Sequence, residues 1–261
     1  MSYTARHPQF PRRWASMATE SSTQEYTARI ELAALYRLAV KFGWTDVTST
    51  HISARIGDDP DHYLLNSYDF MFDEIKASNL TRMSYDGERS ESGRTLNLAG
   101  HLIHSGILKA RPEINFVFHS HTRAGIAVSA MPDGLLPLSQ HAGFVLGTLS
   151  SHPYQDSTAV ADEGALLAAD LQQNYAMLLQ NHGLLVVGRT AAEAFAYHYY
   201  LEMACKIQVD ILSCTDHPVK ITDEAMQALH QWGSPESGPQ GEMQWPALMR
   251  MLDREQPDYR N

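Results

Sequence analysis

The chain alternates between segments whose apolar residues recur with helical spacing and short segments that favour strands. Apolar residues at every third or fourth position predict helices at residues 25–42, 96–110, 159–173 and 191–213. Runs rich in apolar and β-branched residues predict strands at residues 51–56, 63–66, 114–121, 175–179 and 183–187. This alternation indicates a sheet covered by helices, either a three-layer α/β/α fold or a mixed α+β domain.

The two ends of the chain differ from this central part. Residues 1–22 lack the apolar middle section that a secretion signal needs, which predicts a flexible N-terminal arm or one that lies across a partner. Residues 23–232 form the predicted folded domain. Residues 233–261 begin Pro-, Gly- and Ser-rich and predict a tail with a short docked helix, because four apolar residues follow at helical spacing: Trp245, Leu248, Met249 and Leu252.

The composition narrows the function classes. The 30 acidic residues outnumber the 20 basic ones and give a formal charge of −10, so we expect no nucleic-acid binding. No apolar run approaches the roughly 20 residues of a membrane-spanning helix, so we expect no membrane insertion. The two cysteines, Cys205 and Cys214, are too few for a disulfide framework and lack CxxC spacing, which favours a reducing compartment and a cytoplasmic protein.

Histidine shows the clearest chemical pattern. Among the 13 histidines, His119 and His121 alternate along a predicted strand, so their side chains project from one face and can share an ion. Imidazole binds divalent metals at about 2.0–2.2 Å, and catalytic sites use three protein ligands plus an open position. We take His182 as the third ligand because it lies in a tight connection between two apolar strands. Periodicity does not join the two sites, and a turn histidine before a glycine of positive φ is the alternative for His182.

A series of short motifs surrounds these histidines. They are WTDVTSTHISAR at residues 44–55, FDEIKASNL at 72–80, NLAGHLIH at 97–104, ARPEI at 110–114, HSHT at 119–122, LLPLSQ at 135–140, NHG at 181–183 and GRTAAEAF at 188–195. In this order they resemble the class II aldolase/adducin family, and its adducin-like bacterial branch in particular, over roughly residues 25–212.

The resemblance implies a fold, a metal and an assembly. The implied fold is a three-layer α/β/α class II aldolase-like fold with a central mixed, mostly antiparallel sheet. The implied cofactor is one divalent metal ion held by His119, His121 and His182, zinc first, with iron, manganese, cobalt or nickel as alternatives. The implied partners are a small-molecule substrate and further copies of the chain, in a homotetramer with sites at subunit interfaces.

The departures from the family pattern concern the substrate. Where the family's sugar-phosphate aldolases place a glutamate that binds metal or moves the substrate proton, this sequence has Gly100. The serines and the glycine that surround the substrate phosphate correspond to Leu98, Ala99 and Asp69. Because an acid and two apolar groups do not hold a phosphate dianion, we expect a non-phosphorylated substrate.

Three residues are candidate catalytic groups, and two of them are candidates to replace the glutamate in proton transfer. His101 and His104 lie on the predicted helix beside Gly100, and an imidazole pKa near 6.5 suits proton transfer at neutral pH. Packing or ligand orientation is the alternative for both. Tyr154, with His152 close to it in sequence, can supply a phenol or an imidazole across a subunit boundary.

The candidate substrate-binding residues are His51, Asn66 and Gln140. His51 stands where the aldolases have an asparagine that contacts substrate, with a structural role as the alternative. Gln140 lies in a predicted loop that can reach the rim of the site.

These expectations describe a metal-dependent, lyase-like enzyme. It cleaves or decarboxylates a small hydroxy- or oxo-acid through a metal-stabilised enolate, because a Lewis acid with open positions stabilises that charge without the glutamate. The first alternative is a non-haem iron oxygenase acting on an aryl oxo-acid, since three histidines also suit ferrous iron. The second is a non-catalytic interaction protein like adducin, against which the three histidines argue.

Overall fold

The structure, a computed structural model, describes residues 12–57, 59–88, 95–155 and 163–261, with side chains from residue 23 onwards. The strands are β1 (His51–Arg55), β2 (His62–Leu65), β3 (Thr81–Ser84), β4 (Phe116–Ser120), β5 (Leu149–His152), β6 (Ala176–Leu179) and β7 (Gly183–Gly188). They form one seven-stranded sheet in the order β3-β2-β1-β4-β7-β6-β5. Neighbouring strands are antiparallel except β5 and β6, which confirms a mixed, mostly antiparallel sheet.

Helices cover both faces of this sheet. The α-helices of the described part are α1 (Arg12–Phe42), α2 (Leu98–Ala110), α3 (Arg123–Ser129), α4 (Gln140–Leu146), α5 (Glu163–Leu171), α6 (Ala191–Cys214), α7 (Asp223–Gly233) and α8 (Trp245–Glu255). Helices α1 and α6 lie on one face, where Tyr36 binds the backbone of Ile52 and His198 binds Ser120. Helix α2 lies on the other face and packs against α5. The three-layer α/β/α arrangement is therefore confirmed.

Two helices begin at positions other than those predicted. Helix α1 begins at Arg12 rather than at residue 25, because Pro11 is the last helix-breaking residue before Gly43. Residues 12–22, predicted as part of the arm, thus have helical backbone, and residues 1–11 lie outside the described residues. Helix α2 begins at Leu98, where the Asn97 side chain accepts a hydrogen bond from the Gly100 N–H at 3.0 Å.

Five of these helices and strands were not predicted, and each has a weak sequence signal. Helices α3 and α4 have seven residues each, too few for apolar periodicity to stand out. Strands β3 and β5 have the sequences TRMS and LSSH, which lack an apolar run, and α7 is a largely exposed helix. Gln140 is consequently the first residue of α4 and not part of a loop. For α5, residues 159–162 of the predicted helix lie outside the described residues.

The centre of the sheet positions the candidate site. Strands β4 and β7 are buried along their whole length because helices cover both faces. The C-terminal segment packs against α1, where Arg37 pairs with Asp258 at 3.0 Å and Tyr259 is fully buried. Among the described residues, no helix is both long enough and apolar enough to span a bilayer.

Candidate metal centre

Three histidines converge at one end of the sheet. The Nε2 atoms of His119 and His121 are 2.8 Å apart, and those of His121 and His182 are 2.9 Å apart. His119 and His121 lie at the end of β4, and His182 lies in the turn between β6 and β7. Because β4 pairs with β7, the turn is brought to the end of β4. We call these residues the histidine triad.

Hydrogen bonds at the far nitrogens determine where two of the ring protons lie. His119 donates its Nδ1–H to the carbonyl oxygen of Leu184 at 2.9 Å, and His121 donates its Nδ1–H to the carboxylate of Asp46 at 3.0 Å. In a neutral ring the other nitrogen, Nε2, then carries a bare lone pair. Two such lone pairs at 2.8 Å repel each other unless a cation lies beside them. The donor set therefore fits a divalent metal ion.

Burial keeps two rings of the triad, those of His119 and His182, in the neutral form that binds metals. Desolvation is the main cause that holds the pKa of His119 well below its usual range, and neighbouring histidines add to the effect. Burial, followed by the proximity of His121, lowers the pKa of His182 to about 4. Both rings are thus uncharged at neutral pH and can bind a metal through nitrogen.

The turn that carries His182 depends on the residues on either side of it. Asn181 adopts a φ of 58°, a left-handed conformation that asparagine tolerates. Gly183 has no positive φ, but a Cβ at this position would lie 2.2 Å from the carbonyl oxygen of Ser120. The glycine is therefore required by the close approach of β7 to β4, which corrects the alternative in which it takes a positive φ.

Helix α6 holds the opposite face of the strand that carries the ligands. Ser120 and Thr122 alternate with the triad residues, so they point to this opposite face. Ser120 Oγ lies 2.6 Å from Nε2 of His198, and Thr122 Oγ1 donates to the buried carboxylate of Glu202. His198 and Glu202 are four residues apart and thus lie on one side of α6. The strand end is fixed from behind, with the triad on its other face.

A chain of hydrogen-bonded side chains lies beside the triad. The ring centroids of His51 and His119 are 4.9 Å apart. His51 Nδ1 is 2.8 Å from Nε2 of His104, whose Nδ1 is 2.6 Å from the Ser53 hydroxyl. Burial is the main cause that lowers the pKa of both His51 and His104 well below the usual range. His51 thus lies between His104 and the triad, and His104 orients it.

Gly100 provides the space that the His51 ring occupies. A Cβ at Gly100 would lie 3.0 Å from Cγ of His51 and 3.1 Å from Oδ1 of Asn97. Both contacts are tighter than ordinary van der Waals contacts, so a larger residue at position 100 requires the His51 ring to move.

Tyr154 lies at the triad of its own chain. Its ring centroid is 6.2 Å from that of His182, and 62% of the residue is exposed. We expected this tyrosine to act across a subunit boundary, and the structure shows that its own site is within reach. The exposed ring leaves the hydroxyl accessible to a small molecule.

The other predicted site residues have different surroundings. His101 Nδ1 lies 2.7 Å from the hydroxyl of Tyr63, and the hydroxyl of Tyr36 donates to Oδ1 of the buried Asn66 at 2.8 Å. These contacts favour structural roles for His101 and Asn66. Gln140 is exposed at the start of α4, a helix that packs against α6 and α7, and none of its contacts links it to the triad in the part of the chain that the structure describes.

Asp46 was not predicted as part of the site. It lies in the loop after α1, and its carboxylate orients His121. The residue falls within the motif at residues 44–55, which is the one signal for its importance. A contact over 75 residues of sequence leaves no periodic trace.

Known proteins are similar to this chain over most of its length. A family model described as the Class II Aldolase and Adducin N-terminal domain matches residues 30–209. A protein of Caulobacter vibrioides named for aldolase class 2 is 41% identical over 246 residues, which cover 94% of this chain and 96% of that protein. Alpha-adducin of Rattus norvegicus is 36% identical over 245 residues, but the match covers 88% of this chain and 33% of alpha-adducin.

A solved structure shares the fold almost end to end. The L-fuculose 1-phosphate aldolase from Glaciozyma antarctica PI12 superposes with a TM-score of 0.82 at 26% identity. The superposition covers 98% of this chain and 97% of that one.

Proposed function

The chain belongs to the class II aldolase and adducin family, and on that basis we propose that it is a metal-dependent carbon–carbon lyase. Its substrate is a small, non-phosphorylated hydroxy- or oxo-acid, which it cleaves or decarboxylates by way of an enolate. The observation that carries the proposal is the 2.8 Å approach of the Nε2 atoms of His119 and His121, with a hydrogen-bond acceptor at Nδ1 of each ring, because such a pair suits a cation.

The residues around the triad have separate tasks in this proposal. A divalent metal, zinc first among those that imidazole favours, supplies Lewis acidity to a substrate oxygen when bound. The His51 ring occupies the space beside the triad that Gly100 leaves, and we assign it to substrate contact. The fully buried His104 is the residue that positions His51. The exposed Tyr154 is available to exchange a proton or a hydrogen bond with the substrate.

The surroundings of Asp69 support a substrate without phosphate. The hydroxyl of Ser67 donates to the Asp69 carboxylate, so it is committed within the protein. Leu98 is 52% exposed at the first turn of α2 and offers an apolar surface. A carboxylate and an apolar side chain repel or fail to solvate a dianion, whereas they tolerate a neutral or aromatic substituent.

Metal analysis and a substrate screen test the proposal together. Protein purified without added metal should contain about one divalent ion per chain, and it should turn over at least one acid of a hydroxy- and oxo-acid panel. His121→Ala should lose both the metal and turnover while the circular dichroism spectrum stays unchanged. His62→Ala, which removes a histidine on β2, is the matched control.

Two other outcomes would each assign a different function to the protein. Metal-bearing protein that consumes oxygen with an aryl oxo-acid and contains iron is the oxygenase. If the wild type turns over none of the acids, and His121→Ala loses metal but keeps partner binding and assembly, the protein is an adducin-like interaction protein. Either result contradicts the lyase.

We also propose that the protein is a cytoplasmic homotetramer with sites near the subunit interfaces. Three apolar residues on segments that carry site residues are exposed: Val47, which follows Asp46, Leu98 at the start of α2, and Tyr154. A neighbouring subunit would bury such surfaces. Both cysteines are free, which is compatible with a reducing compartment. Size-exclusion chromatography with light scattering should give four times the monomer mass, and a monomer with full turnover would exclude shared sites.

A further inference from the structure

His152, which the sequence suggested together with Tyr154, forms an aspartate–histidine pair that has no role in the proposed function. His152, at the end of β5, is 2.7 Å from Oδ2 of Asp170 through its Nδ1. The side chain of His152 is 4% exposed, whereas that of Asp170 is 45% exposed. The other ring nitrogen, Nε2, is buried and finds no hydrogen-bond partner among the described residues. A buried polar atom without a partner costs free energy unless a ligand or water satisfies it.

The sheet register places His152 at the same end of the sheet as the histidine triad. His152 pairs with Leu179 across β5 and β6, and its carbonyl oxygen accepts the N–H of Gln180 at 2.9 Å. Gln180 begins the turn that carries His182, so the end of β5 lies beside that turn.

The His152 ring also lies on the face of the sheet where His119 lies. Asp170 is on α5, which packs against α2 on the face of the sheet where His104 lies. His51 and His119 face this same layer, since His51 contacts His104 and pairs with His119 across the sheet. The unpartnered nitrogen of His152 is therefore on the same side of the sheet as His119.

The Asp170 carboxylate determines whether His152 binds a hydrogen-bond donor or an acceptor of the substrate. An ionised carboxylate only accepts hydrogen bonds, so Nδ1 of His152 carries the proton that faces Asp170. In the neutral ring Nε2 is then an acceptor, which pairs with a hydroxyl and not with a ketone oxygen.

We propose that His152 contacts the substrate beside the triad and that Nε2 accepts a hydrogen bond from a substrate hydroxyl, with Asp170 as the positioning residue that fixes the tautomer. The proposal rests on the proposed function and narrows its substrate class from hydroxy- or oxo-acids to hydroxy acids.

Lactate and pyruvate are suitable probes because they differ only at the C2 oxygen. Their dissociation constants are measured by calorimetry on the full chain loaded with Co²⁺, after metal content has been determined for every variant. The wild type should bind lactate more tightly than pyruvate, by roughly two- to tenfold, the range expected for one hydrogen bond. His152→Phe should bring the ratio of the two constants close to one.

Two further variants separate recognition from folding. Asp170→Asn changes a half-exposed residue, and its amide can pair with either tautomer of His152, so the ratio should also move towards one. His62→Phe is the matched control, because His62 is paired with Asp59 at 3.2 Å in another aspartate–histidine contact on β2. This control should keep the wild-type ratio.

The outcomes distinguish this proposal from the one on which it rests. If wild-type protein binds Co²⁺ but shows the same ratio as His152→Phe and Asp170→Asn, the role of His152 is overturned and the metal centre stands. The same holds if wild-type protein binds Co²⁺ but neither acid. Wild-type protein that binds no metal overturns both proposals. A lactate preference that both variants abolish and His62→Phe retains supports the assignment.

Discussion

Single hydrogen bonds at the far nitrogens prepare the triad for a metal. Leu184 holds the proton of His119 through a carbonyl oxygen, and Asp46 holds that of His121 through a carboxylate. The two acceptors differ in strength, because a carboxylate also raises the electron density of the ring and so its basicity towards a metal. Asp46 is thus the residue whose loss should be most visible in metal binding.

Replacement of this carboxylate tests its role. We expect Asp46→Ala to weaken metal binding by about 10- to 100-fold, the usual effect of losing a residue that orients a ligand. The loss occurs because the His121 ring is no longer held and both of its nitrogens compete for the proton. Competition with a chromophoric chelator measures the affinity. Asp86→Ala, at a side chain that is 94% exposed, should bind as the wild type does, and an Asp46→Ala variant with unchanged affinity contradicts this role.

Among the secondary structure elements, β4 shows what the sequence can and cannot reveal about the site. The alternation of His119 and His121 was predictable because the period of a strand is local and exact in sequence. His182 was predictable as a turn residue, and the family resemblance joined it to the other two. The partners on the opposite face were not predictable, because Ser120 and His198 are 78 residues apart. Helix α6 is apolar enough to be predicted, but its contact partners are set by packing between layers.

The hydrogen bond between His198 and Ser120 can be tested as a connection between α6 and β4. We expect His198→Phe to lower the free energy of unfolding by about 1–3 kcal/mol, because the buried hydroxyl of Ser120 loses its partner. The metal affinity should fall as well, since Ser120 lies between two ligands. Adding Ser120→Ala should cost less than the sum of the two single changes, because it removes the unpaired hydroxyl.

A control variant separates this local effect from general loss of stability. Tyr197→Phe removes a hydrogen bond of the neighbouring α6 residue to the carbonyl oxygen of Gly233, at 2.9 Å. It should lower stability by a similar amount and leave metal affinity unchanged. Urea unfolding and chelator competition measure the two quantities, and equal losses of affinity in both variants would contradict a specific connection to β4.

For the whole molecule, the buried histidines couple stability to pH. Burial is the main cause that lowers the pKa of His51, His104 and His119 well below the usual range and that of His198 to about 3. In the unfolded chain these rings take up protons near pH 6.5, the ordinary value, whereas the folded chain keeps them neutral to lower pH. Between the two values the unfolded state binds more protons. The free energy of unfolding therefore decreases as the pH falls from about 6.5 towards the folded pKa.

The contribution of His198 to this pH dependence of stability can be measured in the metal-free protein. With a folded pKa of about 3, this fully buried ring accounts for about 1 kcal/mol of stability lost between pH 7 and pH 5.5. Phenylalanine does not titrate, so His198→Phe should lose about 1 kcal/mol less than the wild type over the same interval, although it is less stable at pH 7. Urea unfolding at both pH values gives the loss of stability for the wild type and for His198→Phe. Tyr197→Phe keeps every buried histidine and should show the wild-type loss, whereas an equal loss in His198→Phe would mean that folding leaves the pKa of His198 unchanged.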